Sequence, residues 1–105
     1  MAQLERYMFY YMDTIIERNF KEAIEVAQNM LEACESESTP VIEGFLSAAE
    51  CLNALYYGDF DRVEELWKSY EESKKFLSPP NKHYAVLLEI SLILENTKEE
   101  LERIV

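Results

Sequence analysis

Asn19-Phe20-Lys21-Glu22-Ala23-Ile24 and Asp59-Phe60-Asp61-Arg62-Val63-Glu64 are one phrase written twice, 40 residues apart. Each follows an apolar run about one helix long and opens a second run with helical spacing. Asn96-Thr97-Lys98-Glu99-Glu100-Leu101 reads the same way 37 residues further on. The repeated unit is helix, tight turn, helix, and a fixed period of this size marks stacked helical hairpins. Such stacks more often hold other molecules than transform them.

The flanking residues extend this reading. Leu4, Tyr7, Met8, Tyr11, Met12 and Ile15 recur at three- and four-residue steps, which predicts an amphipathic helix over 3–17. Asn19 caps a second helix, with Glu22 completing a capping-box-like pair, and Ala23, Ile24, Ala27, Met30 and Leu31 form its apolar face. After the polar loop 35–39, Pro40 stands in the first turn of a third helix. That helix carries Val41, Phe45, Leu46, Ala48, Ala49, Leu52, Leu55 and Tyr56, and Gly58 ends it in the left-handed conformation. Asp59 caps a fourth helix that buries Val63, Leu66, Trp67, Tyr70 and Leu77, and Ser78-Pro79-Pro80 stops it. Asn81 starts a fifth helix through Glu95, and Thr97 with Glu100 caps a short last one. The expectation is an all-α chain forming a single domain over 1–105. Its six helices make three stacked antiparallel hairpins, with units at 3–35, 40–77 and 81–105.

Composition supports this class. The chain of 105 residues has two Gly and three Pro, and helix interiors exclude both residue types. With 49% apolar residues it can build one core without metal or disulfide help. Its 10 basic and 21 acidic side chains give a formal net charge of −11. That field has the wrong sign for nucleic acid and for anionic membranes, and it suits a basic peptide or protein. Cys34 and Cys51 have neither metal-site spacing nor a CxxC pattern. They read as thiols in a reducing compartment, and whether they are bridged stays open. The start Met-Ala-Gln-Leu-Glu-Arg has no leader-like apolar core, and the apolar run Tyr84–Leu94 is too short to span a bilayer. The expected location is cytoplasmic.

Gly58-Asp59-Phe60-Asp61-Arg62-Val63-Glu64-Glu65-Leu66-Trp67 resembles the turn and second helix of a tetratricopeptide repeat. Asn19 to Ala27 is similar to the same part, with Ala23 at the family's small position. The period is longer than that family's usual spacing of about 34 residues. The resemblance implies a right-handed superhelix with a concave groove, lined by the first helix of each pair, that binds peptide or protein. In that register the groove face includes Met8, Met12, Ile15, Phe45, Leu52, Leu55, Tyr56, Lys82 and Glu89. Lys82 is nearly its only cation, so gripping of a terminal carboxylate is not carried over. An apolar groove of this kind suits an amphipathic helix.

No catalytic constellation is legible. His83 is the one histidine, without a carboxylate or thiol at a telling spacing. No Gly-rich phosphate loop exists, and no cofactor or metal is expected. Glu22 with Glu25, Glu32 with Glu35, and Glu64, Glu65, Glu71 and Glu72 could in principle hold a divalent cation. They stand beside Lys21, Arg62, Lys68, Lys74 and Lys75, as solvated helix faces do. In Met8-Phe9-Tyr10-Tyr11-Met12, core packing uses Met8, Tyr11 and Met12. Phe9 and Tyr10 point away from that stripe, as interface aromatics do. Val86, Leu87, Leu88, Ile90, Leu92, Ile93 and Leu94 make the fifth helix apolar nearly all round, so it must be covered on several sides.

The expected function is a non-catalytic, self-associating interaction or scaffold module. It binds a helical or basic segment of a partner protein through Phe9, Tyr10, Met12, Phe45, Tyr56 and Lys82 and forms a homodimer. The alternatives are a small metal-dependent hydrolase using clustered carboxylates, a chain that chiefly assembles with itself, and an acidic mimic of nucleic acid.

Overall fold

The computed structural model describes residues 2–104, which are all-α. Five α-helices and one 3-10 turn follow in order: α1 Ala2–Ile16, α2 Phe20–Ala33, α3 Thr39–Tyr57, the 3-10 turn Phe60–Arg62, α4 Val63–Lys74 and α5 Tyr84–Ile104.

The two copies of the repeated phrase encode one backbone turn. At the end of α1 the Asn19 N–H donates to the Thr14 carbonyl (2.8 Å) and the Arg18 N–H to that of Ile15 (3.1 Å). At the end of α3 the Asp59 N–H donates to Ala54 (2.8 Å) and the Gly58 N–H to Leu55 (3.2 Å). Both are Schellman closures, with Arg18 (φ 64°) and Gly58 (φ 77°) in the left-handed position. The next residues also match, Asn19 at φ −93°, ψ 70° and Asp59 at φ −92°, ψ 84°. Neither side chain caps its helix. Asn19 instead donates to the Glu22 carboxylate at 2.8 Å, so the expected capping box gives way to a side-chain pair. The following phenylalanines differ. Phe20 is buried at the head of α2, whereas Phe60 is 51% exposed on the 3-10 turn that precedes α4.

The third copy makes no turn, which corrects the expectation of six helices. Residues 84–104 form one helix of 21 residues. No Gly or Pro interrupts them, and Thr97 faces inward at 6% exposure, so burial holds the backbone helical where a cap was expected. The start is also later than Asn81. The Asn81 side chain accepts the His83 N–H (2.8 Å) and donates to Ser38 Oγ (3.0 Å), tying the two long loops together. Pro40 sits in the first turn of α3 and Gly58 closes it, as read, whereas α4 starts at Val63 and ends at Lys74, short of the Ser78-Pro79-Pro80 that was expected to stop it.

Packing puts α1 on α2, α2 on α3, and α3 on α4, while α5 returns to lie on α1 and α3. It does so through Leu87, Ile90, Leu94 and Leu101, all buried. Met8, Met12, Ile15, Phe45, Leu52 and Leu55 join the same core. Tyr11 stacks on Phe45 (centroids 5.9 Å apart) and donates its hydroxyl to the Phe45 carbonyl at 2.6 Å. Burying one large aliphatic side chain contributes about 1.5–3 kcal/mol. An exposed ion pair such as Arg18–Glu100 or Lys82–Glu35 is worth about 1 kcal/mol or less. Apolar contact therefore sets the position of α5.

Gly44 shows how closely α3 and α4 approach, because a Cβ there would lie 2.5 Å from the Ser73 Cβ. Helix propensity alone would make Gly44→Ala stabilising by about 1 kcal/mol, but overpacking costs about 1–3 kcal/mol. The steric cost wins. Gly44→Ala is expected to lower the urea midpoint, and Ser73→Gly in the same chain to recover part of the loss. A Gly44→Ala protein more stable than the original would show that the helices are not in such contact.

Burial pushes the Tyr11 hydroxyl well above its ordinary value and acts likewise on Tyr70, where the Glu95 carboxylate adds to it. Burial also moves the Cys51 thiol up to about 11. The folded chain keeps these protons while the unfolded chain releases them, so the stability they confer is complete below the unfolded values and is lost above them. Thermal melts should fall in Tm from about pH 9 and more steeply above about pH 10, and Tyr11→Phe should flatten the upper limb. A Tm unchanged up to about pH 11 would contradict this assignment.

Candidate functional site

α4 and α5 both rest on α3 but make little direct backbone approach to each other, and an open trough runs between them. On α4, Val63, Trp67 and Lys74 follow a helical stripe beside buried Tyr70, with Glu64, Lys68 and Glu71 on its outer edge. On α5, Glu95, Lys98 and Glu102 recur at three- and four-residue steps and Glu99 flanks them, as one helix face requires. These side chains line two adjoining clefts of about 460 and 490 Å³ that share Trp67, Glu71, Lys98 and Glu102. Toward the Gly58 end the trough becomes apolar. Leu55, Phe60 and Val63 line a recess of about 330 Å³, and Leu55, Tyr56, Leu101 and Ile104 with Arg18 line one of about 320 Å³.

Long side chains bridge the trough. Tyr70, 1% exposed, donates its hydroxyl to Glu95 Oε2 at 2.7 Å, and Lys74 Nζ reaches the same oxygen at 2.6 Å. Trp67 packs on Tyr70 with ring centroids 4.5 Å apart. Lys98 Nζ lies 4.9 Å from the Trp67 ring centroid and 2.7 Å from Glu102 Oε2. The glutamates at 64, 71, 95, 99 and 102 exceed the lysines at 68, 74 and 98, so the trough repeats locally the acidity of the whole chain. Its chemistry is that of an aromatic and apolar floor between anionic rims.

The residues singled out from sequence do not converge on this place. Met12 is 7% and Phe45 0% exposed, so no partner reaches them in the folded chain. The groove that the first helix of each pair was expected to line is not open along α1 and α3, because α5 packs on both. Phe9 (53%) and Tyr10 (47%) are exposed on α1. Lys82 lies at the far end, ion-paired with Glu35 beside Leu4 and Glu5. That pairing holds the Glu35 carboxyl below, and the Lys82 ammonium above, their ordinary ranges. Only Tyr56 borders the trough, with its ring edge-to-face on Phe20 at 5.6 Å.

Trp67, Lys98 and Glu102 escape sequence reasoning because Trp67 reads as core and Lys98 as part of a turn. A helix unbroken through Asn96 aligns Glu95, Lys98 and Glu102. Among the described residues no three His, Cys, Asp or Glu side chains lie together as metal ligands. Cys34 and Cys51 are free thiols, Cys34 half-buried and Cys51 fully buried. Among the described residues no helix is long and apolar enough to cross a membrane. The chain has no match among protein-family models, curated proteins or solved structures.

Proposed function

We propose that the chain is a non-catalytic interaction module that seats a basic, amphipathic helical segment of another protein in the trough between α4 and α5. The observation that carries this reading is the trough itself, where half-buried Trp67 and Val63 with exposed Phe60 form an open floor flanked by Glu64, Glu71, Glu99 and Glu102. A helix laid there buries its apolar stripe on the floor, and its flanking lysines or arginines meet the rims. Opposite potentials steer the encounter and reject acidic partners. The class of function expected from the tetratricopeptide likeness is kept, and so, as part of the same proposal, is a right-handed arrangement of the first two helix pairs. The binding face moves from the first helix of each pair to the trough between α4 and α5.

A second reading, self-association through α1, rests on Phe9 and Ile16. They are 53% and 61% exposed and, seven positions apart, share one stripe of the helix. Sedimentation at high micromolar concentration checks it. The unmodified chain should dimerise and Phe9→Asp should stay monomeric, whereas a monomeric unmodified chain removes this reading.

Trp67 is the single tryptophan, so its emission reports the trough directly. A synthetic helical peptide with a leucine stripe between lysines should shift that emission to shorter wavelength and saturate. The expected dissociation constant is on the order of 10 μM, about −7 kcal/mol. Binding should weaken about fivefold or more between ~50 and ~300 mM salt. No saturable change, or an equal response to a glutamate-flanked peptide of the same stripe, would overturn the proposal.

A further inference from the structure

We infer that Lys98 is a resident stand-in for a cation of the partner, and that the cation the Trp67 face is built to receive is an arginine guanidinium. This rests on the trough being the docking site. Among the cations in ion pairs, Lys98 is the most enclosed. Its side chain is 16% exposed, against 32% for Arg18, 35% for Lys74, 59% for Lys82 and 70% for Arg103. It lies over the Trp67 ring at 4.9 Å and bonds Glu102 at 2.7 Å, so it occupies the point where the two larger clefts meet.

Lys98 is tethered to α5 and uses only part of what surrounds it. Glu71 lines both clefts and makes no ion pair among the described residues. Lys98 meets the indole face as a point charge, its Nζ 4.9 Å from the ring centroid. A guanidinium is planar, more weakly hydrated, and stacks on an aromatic face while its fork of N–H groups meets carboxylates. An arginine entering from the partner can therefore cover the Trp67 ring and reach Glu102 and Glu71 together. Lys98, on a flexible four-carbon stem, swings out toward solvent when that happens. The partner class is thereby narrowed from a basic helix to one presenting an arginine within its apolar stripe.

Resident occupancy lowers the apparent affinity by the fraction of molecules in which the face is free. Lys98→Gln should therefore tighten binding of the arginine form of the amphipathic peptide about fivefold to tenfold. Lys98→Arg, which holds the ring more firmly, should weaken it about twofold to fivefold. Lys68→Gln removes the same charge from the trough rim without touching the Trp67 face, so tightening by Lys98→Gln beyond that of Lys68→Gln separates occupancy from local charge. The arginine peptide should also bind the unmodified chain more tightly than the lysine peptide. Thermal melts establish that each variant is folded, and because the two Lys98 variants act in opposite directions either one alone tests the inference. If the unmodified chain binds the peptides but Lys98→Gln does not tighten binding beyond Lys68→Gln, the stand-in is overturned and the docking trough stands. If neither peptide binds the unmodified chain or Lys98→Gln, both fall.

Discussion

The burial of one stripe of α5 against α1 and α3 determines what the other helices can do. Leu87, Ile90, Leu94 and Leu101 are removed from water there, and no exposed ion pair among the described residues approaches the energy of that transfer. Once α5 lies on α1 and α3, Met8, Phe45 and Leu52 have no solvent-facing side left. A groove in that place cannot exist. The same placement leaves α4 flanked by α3 on one side and by open space toward α5, so the position of one helix both closes one cleft and creates another.

Features written in adjacent residues are legible in the sequence. Helix composition, the Pro40 entry, the Gly58 exit and the two turns at 18–20 and 58–60 all follow from local patterns. The two turns agree to within a few tens of degrees of backbone torsion although Arg18 replaces Gly58 in the left-handed position. The Arg18 backbone is held by the closure hydrogen bonds, and its guanidinium is 3.0 Å from Glu100 on α5. Tertiary contact therefore supports a conformation that glycine adopts freely.

Features that depend on distant residues are not legible in this way. Asn96-Thr97 has the chemistry of a helix start, yet Thr97 is enclosed by the core and the helix runs through it. Propensity at a cap is worth about 1 kcal/mol, and burial of the flanking Leu94 and Leu101 exceeds that. This one override hides the register of Glu95, Lys98 and Glu102, and with it the trough. Trp67 poses the same difficulty in another form. A half-buried tryptophan reads as core in a single sequence, and only the separation of α4 from α5 shows that one of its faces is open to a visitor. Phe9 and Tyr10 are readable as exposed because their departure from the α1 stripe is a local fact.

Whether residues 84–104 are one helix lying on α1 and α3 can be read from nuclear Overhauser contacts of selectively labelled leucine and isoleucine methyls. The expected result is methyl contacts from Leu87, Ile90 and Leu94 to side chains of α1 and α3, with unbroken sequential amide contacts through Asn96 and Thr97. A break at those two residues, with the Leu87 and Leu94 methyls meeting α4 in place of α1, would contradict it.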